Sequence, residues 1–231
     1  MIISDKLKQG SEQWLNLRKG RATASQFSKI ITPTGKASSQ AEGYIRELVA
    51  ETVAEDPLAF NGNKFTDWGN EMEPEARESF EAETGHRVKE VGFCQMAEGV
   101  PVGCSPDGLT VSGEAEIGDL LESDRLTGGL EIKCPTRDTH VGYLMDGSLP
   151  SAYKLQVHGS LAVTGLPVWH FYSYFPGLNP FHLEVEPDDF TELVKDRLEA
   201  FVIEYGKQRE PILDAILPSR KEAQQLENSI L

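Results

Sequence analysis

Ser105-Pro106-Asp107-Gly108-Leu109 and, further on, Leu130-Glu131-Ile132-Lys133-Cys134-Pro135 are the two stretches from which the architecture is read. The second has the length and apolar content of a short buried strand. Alternation along the pleat sends Glu131 and Lys133 to one face and Leu130, Ile132 and Cys134 to the other. A carboxylate and an amine thus share one small site, in a setting where desolvating charge is costly unless it is paired or binds a metal. The Pro-Asp-Gly turn ends one apolar run, residues 100–104, and starts another, residues 109–111, so a hairpin there brings Asp107 close to the later strand. Two carboxylates about a strand's width apart suit a hard divalent cation such as Mg²⁺, which takes oxygen ligands and keeps waters for a phosphate to displace. The lysine then orients a water or steadies charge on the phosphate. A Glu–Lys pair closing a sheet edge is the plain alternative, and the pattern by itself leaves both readings open.

Upstream, residues 11–18 read as a short helix with Ser11 as N-cap, Trp14, Leu15 and Leu17 as apolar anchors and Gly20 as terminator. Thr23-Ala24-Ser25-Gln26 matches a capping box, with Phe27, Ile30 and Ile31 following at helical spacing. Hydroxyls at a helix start beside Arg18 make a candidate phosphate seat, against plain capping with a surface arginine. Residues 40–54 form an amphipathic helix whose apolar face is core. Residues 55–63 have the composition of an irregular loop. A helix then leads from about Trp68 past Phe80 to about Gly85, with Glu73 and Pro74 near its acid-rich start. Short strands over 88–111 read as a meander, and 113–129 as a long solvated hairpin loop.

Downstream, a helix starts at Ser151, runs to Thr164 and stops at Gly165. Residues 168–175 and 181–186 make a strand pair whose aromatic residues are core. The last helix begins behind Pro187-Asp188-Asp189, with Phe190, Leu193, Val194, Leu198, Phe201, Val202 and Tyr205 at three- and four-residue spacing. The reading is therefore one α/β domain over 1–217, with a polar C-terminal tail over 218–231.

Composition sets the outer limits. No run reaches the roughly 18 apolar residues of a membrane span, and the first residues lack a signal-peptide layout, so a soluble cytoplasmic protein is expected. Cys94, Cys104 and Cys134 form no C-x-x-C and sit in apolar strand-like settings, which argues against a disulfide framework or a zinc site built on them. The five histidines show no ligand spacing. A formal net charge of −15 argues against general nucleic-acid binding unless the few basic residues line one channel.

Six pieces occur in a fixed order: Trp14-x-x-x-Arg18, Thr23-Ala24-Ser25, Trp68-Gly69 with Glu73, Cys104-Ser105-Pro106-Asp107-Gly108-Leu109, the stretch from Leu130 to Pro135, and Tyr153 with Gln156. Together they resemble the phage lambda exonuclease family of YqaJ-like viral recombinase nucleases. The resemblance implies a restriction-endonuclease-like core, with a central mixed β-sheet flanked by helices. It implies an enzyme that degrades one strand of linear duplex DNA processively from the 5′ end, leaving a 3′ single strand for recombination by strand annealing. It further implies a ring-shaped homotrimer in the bacterial host cytoplasm, working with a single-strand annealing protein and two Mg²⁺ ions, Mn²⁺ being able to substitute. By position, Asp107 and Glu131 would hold the metal, with the Ile132 carbonyl as a further ligand and Glu73 at a second ion. Lys133 would position or activate the attacking water, with Gln156 nearby, and Arg18, Ser25 and Ser105 would bind the 5′-phosphate. Two other readings stay open at this point: a same-core endonuclease or opposite-polarity exonuclease, and a DNA-end-binding recombination protein without catalysis.

Overall fold

A computed structural model of the chain describes residues 1–53, 64–112 and 125–217, with 64–67 and 70 described by backbone alone. The expected loop at 55–63, the centre of the long hairpin (113–124) and the tail at 218–231 lie outside the described residues. Among the described residues nine strands and six α-helices follow in the order β1 (Ile2–Ser4), α1 (Glu12–Arg18), β2 (Ala22–Thr23), a 3-10 helix (Ala24–Lys29), α2 (Ala41–Glu51), α3 (Lys64–Thr84), β3 (Arg87–Lys89), β4 (Phe93–Gln95), β5 (Val102–Cys104), β6 (Gly108–Val111), β7 (Leu126–Lys133), α4 (Arg137–Asp146), α5 (Ser151–Thr164), β8 (Trp169–Ser173), β9 (Phe181–Val185) and α6 (Asp189–Ile216).

The strands form two mixed sheets, β1-β4-β5-β2 and β3-β6-β7-β8-β9. The expected meander over 88–111 is thereby corrected: its four strands divide between the sheets, β4 and β5 in one, β3 and β6 in the other. In the larger sheet β6 pairs antiparallel with β7, Gly108 opposite Leu130, and β7 runs parallel to β8, Glu131 opposite Phe171. The parallel step is made by the α4–α5 crossover, as parallel neighbours require. Leu130, Ile132 and Tyr172 pack with Ala76 and Phe80 of α3 on one face. On the other face Phe171 joins the main core with Leu155, Val157 and Leu161 of α5 and Val194, Leu198 and Phe201 of α6. The sheet is thus a layer between helices, and β7 at its centre is covered on both sides.

Local chemistry sets most boundaries. The Ser11 side chain accepts from the Trp14 amide, capping α1, and the Asp188–Thr191 capping box opens α6. Gly165 at φ 67° closes α5, its N–H donating to the Leu161 carbonyl at 2.8 Å. Other expectations are corrected. Thr23 makes no capping bond, and the segment after it is a 3-10 helix. The Trp68–Gly85 helix begins already at Lys64, which puts Pro74 in the middle of α3. β7 starts at Leu126, inside the stretch read as loop. Helix α4 was not expected: Val141, Leu144 and Met145 stay exposed, so it lacks the apolar stripe that marks a helix in sequence.

Candidate active site

The E-x-K strand places its charges on the α5 side of the sheet, as alternation requires. Glu131 is only 2% exposed, and its Oε1 accepts from Lys133 Nζ and, at 2.6 Å, from Gln156 Nε2 of α5. Lys133 Nζ lies 5.1 Å from the centre of the Tyr153 ring, also on α5. The Pro-Asp-Gly turn brings Asp107 to the same strand. The Asp107 amide donates to the Leu130 carbonyl at 3.0 Å, and Asp107 Oδ2 accepts from the Ile132 amide at 2.6 Å. Glu73 arrives from α3, where Arg77 one turn on donates to its Oε1 at 2.5 Å and to the Asp107 carbonyl at 3.3 Å. Arg77 also pairs with Glu90 at 3.0 Å.

Three carboxylates from three separate elements therefore gather around β7. Each has one oxygen held by a protein donor; among the described residues no hydrogen bond is made to the other oxygen. Burial, reinforced by the neighbouring carboxylates, pushes Glu131 and Glu73 each up to about 7, and burial raises Asp107 as well. Burial opposes the charge on Lys133, but Glu131 and Asp107 outweigh it and hold the ammonium above its ordinary pKa. The chemistry of this donor set, carboxylate oxygens whose charged forms burial disfavours, suits a hard divalent cation, whose charge would relieve the mutual repulsion.

Beside it lies the second predicted cluster. Arg18, at the end of α1, stacks over Trp14 at 4.2 Å and donates through Nη1 to Ser105 Oγ at 2.9 Å and through Nη2 to Thr23 Oγ1 at 3.4 Å. Ser25 Oγ is 3.4 Å from Thr23 Oγ1, and Trp14 Nε1 donates to Ser105 Oγ at 3.1 Å. Arg18, Ser25, Ser105, Ser160 and Gln156 line one void of about 20 Å³, so Gln156 links this cluster to Glu131. The void has room for a water, not for a phosphate, which would have to displace the Arg18–Thr23 contact. Burial pulls the Arg18 guanidinium below its ordinary pKa.

The family profile for the YqaJ-like viral recombinase domain matches residues 13–167, a span that contains every one of these side chains. The chain belongs to that family. The alkaline exonuclease LHK-Exo of Laribacter hongkongensis is similar over 93% of this chain and 100% of its own, at 30% identity and a TM-score of 0.71. Its complex with dAMP gives the same coverage and identity at a TM-score of 0.72. A phage-related exonuclease from Haemophilus somnus 129PT, at 16% identity and a TM-score of 0.59 over 86% of this chain and 99% of its own, shares the fold. Comparison with curated proteins gave no match. The mixed sheets flanked by helices in this YqaJ-like chain are thus those of the alkaline exonuclease fold, and the chain is a nuclease of that family.

Of the nine residues singled out from sequence, the structure brings eight together by their side chains: Asp107, Glu131, Lys133, Gln156 and Glu73 in one group, Arg18, Ser25 and Ser105 in the next. Ile132 contributes its amide to Asp107, and its side chain is core. Sequence reading missed Arg77, whose signal was its place four residues after Glu73 on a helix. It also missed a cleft of about 780 Å³ that opens on Asp107 and Glu73 and is lined by Lys6, Lys8 and Lys89. The same wall carries Asp5 and Glu90, so the cleft is lined by charges of both signs.

Proposed function

We propose that this nuclease is a Mg²⁺-dependent exodeoxyribonuclease that digests one strand of linear duplex DNA from its 5′ end. The observation that carries the proposal is the convergence of Asp107, Glu131 and Glu73 on β7 beside Lys133, with Gln156 joining this group to the arginine-lined void. Asp107, Glu131, Glu73 and the Ile132 carbonyl would hold the metal, two ions with the full set, and Mn²⁺ would be accepted by the same oxygens. When bound, the ion supplies positive charge at the scissile phosphate and a more acidic water. Gln156 and Lys133 fix the Glu131 carboxylate in one orientation through Oε1. Lys133, kept cationic by its two carboxylate neighbours, steadies negative charge developing on the phosphate and orients the attacking water. Arg18, Ser25 and Ser105 hold the terminal 5′-phosphate. The cleft that opens on Asp107 and Glu73 would receive the duplex end, with Lys6, Lys8 and Lys89 on its wall as the phosphate contacts.

Processive digestion by a homotrimeric ring in the bacterial cytoplasm, handing a 3′ strand to an annealing protein, completes the proposal; a ring keeps an acidic enzyme on its strand where surface charge does not. LHK-Exo in complex with dAMP, a deoxynucleoside monophosphate, supports the polarity-neutral part of this reading. The test is digestion of linear duplexes labelled at either end, and of closed circles, with and without Mg²⁺. Loss of 5′ label as mononucleotide, no attack on circles and a trimeric mass by light scattering are expected. Asp107→Asn and Glu131→Gln should each lower the rate by a factor of roughly 10³ or more. Cutting of circles, release of 3′ label first, or near-normal digestion by either variant at saturating Mg²⁺ refutes the proposal.

A further inference from the structure

Three of the five histidines, scattered in sequence, meet on the opposite face of the sheet from Glu131. His170 on β8 faces α3 together with Tyr172, and His182 and Glu184 on β9 lie on the same face. His86, just past the Gly85 that ends α3, completes the group, its ring centre 4.9 Å from that of His170. The ring of Phe80 packs against all three histidines at 5.3 to 6.0 Å and fixes their separation.

His170 is 1% exposed, and its two nitrogens are unequally served. Nδ1 lies 3.1 Å from His182 Nε2, a hydrogen bond that one proton satisfies, and 3.8 Å from Glu184 Oε1. Nε2 is buried with no hydrogen-bond partner among the described residues. If Nδ1 carries the proton, Nε2 is a bare lone pair sealed from water; if Nε2 carries it, a buried donor is orphaned. Buried polar groups left in this state are uncommon and call for a partner. His86, His170 and Glu184 each offer a ligand atom, and the three atoms lie within 4.8 Å of one another. In a tetrahedral site with bonds of about 2.0 Å the ligand atoms stand about 3.3 Å apart, a contraction that the exposed Glu184 carboxylate and the half-buried His86 have room to make.

We infer that His86, His170 and Glu184 form a binding site for a borderline divalent transition ion of the zinc class, separate from the carboxylate site. Two imidazoles and one carboxylate favour Zn²⁺ over Mg²⁺, which prefers oxygen and water throughout. His182 Nε2, 3.1 Å from Nδ1 of His170, would set its tautomer and leave Nε2 for the ion, and the exposed Glu184 carboxylate, now 3.8 Å from Nδ1, has to swing toward Nε2 to join it. The ion ties the end of α3, the helix of Glu73, to β8 and β9. Because His170 stands opposite Leu130 in the β7–β8 register, one residue from Glu131, this tie lies directly behind the carboxylate group.

The test uses the full, untagged chain after chelation, in an Asp107→Asn/Glu131→Gln background that weakens the oxygen site. Expected are one Zn²⁺ per chain by elemental analysis, a visible ligand-field band with Co²⁺ as the probe, and a higher Tm. At about 100 times its Kd, the ion raises the Tm of a chain this size by about 5–10 °C. His86→Gln and Glu184→Gln, both at accessible positions and so tolerated by the fold, should abolish the band and the Tm shift. Failure of Zn²⁺ and Co²⁺ to bind overturns the inference, as does a band that survives both variants. Either result leaves the nuclease assignment untouched, because the Mg²⁺-dependent assay reads the carboxylate site, which shares no ligand with this one.

Discussion

Replacing Arg18 with alanine is the sharpest test of how the enzyme recognises a strand end. The guanidinium donates to Ser105 at 2.9 Å and to Thr23 at 3.4 Å, the second a weak contact that a stronger acceptor displaces readily. A 5′-terminal phosphate carries a second charge that an internal phosphodiester lacks, and an arginine fork meets it with charge-assisted bonds. Such a contact contributes about 1.5–3 kcal/mol, which corresponds to a preference of roughly 10- to 150-fold for phosphorylated over hydroxyl ends. Arg18→Ala should slow digestion of phosphorylated ends toward the hydroxyl rate. The fold should survive: the stacking of Arg18 on Trp14 is worth about 0.5–2 kcal/mol, a minor part of a domain's stability. Arg18→Lys should recover only part of the preference, since a lysine keeps the charge without the planar fork. The assay compares both ends with wild type and both variants, with thermal melting as the control for folding. If Arg18→Ala retains the full phosphate preference while folded, the seat lies elsewhere and Arg18 serves only to tie α1 to Ser105.

Three other outcomes follow from the geometry. Lys133→Met should bind DNA ends normally yet cleave about 10²–10³-fold more slowly in single-turnover experiments, because Gln156 still orients Glu131 while the cation is lost; weakened end binding with unchanged turnover would assign the lysine to substrate positioning instead. Gly129→Ala should cost about 1–3 kcal/mol, since its Cβ would meet the fully buried Trp169 ring at 2.2 Å, and an unaltered denaturation midpoint would show that the ring can shift. Asp188→Ala should lower stability by about 1 kcal/mol by removing the carboxylate that accepts from the Thr191 amide at 2.9 Å, and urea titration would expose the idea as wrong if the midpoint does not move.

Local rules made much of this chain legible in advance. Strand alternation separated Glu131 and Lys133 from Leu130 and Ile132, cap residues marked α1 and α6, and Gly165 marked the end of α5, because each signal lies within a few residues of its effect. The failures share a cause as well. Helix α4 shows no apolar stripe, so periodicity had nothing to register, and Thr23, though spaced for a cap, gives its hydroxyl to Arg18 and Ser25 instead. The division of residues 88–111 between two sheets depends on which distant strand each segment pairs with, and short apolar runs do not encode that choice.

What the sequence by itself determined, then, is the set of chemically capable side chains and the local elements that carry them. Tertiary structure alone decided that Glu73 stands beside Asp107 through Arg77, that Gln156 holds Glu131, and that Lys6, Lys8 and Lys89 line the same cleft. It also decided that His86 and His170, 84 positions apart and without ligand spacing, pack together against Phe80. The physical reason is that caps, turns and alternation are set by backbone geometry over a few residues. The partners of a buried charge are set instead by which helix covers which face of the sheet, a matter of packing the whole core.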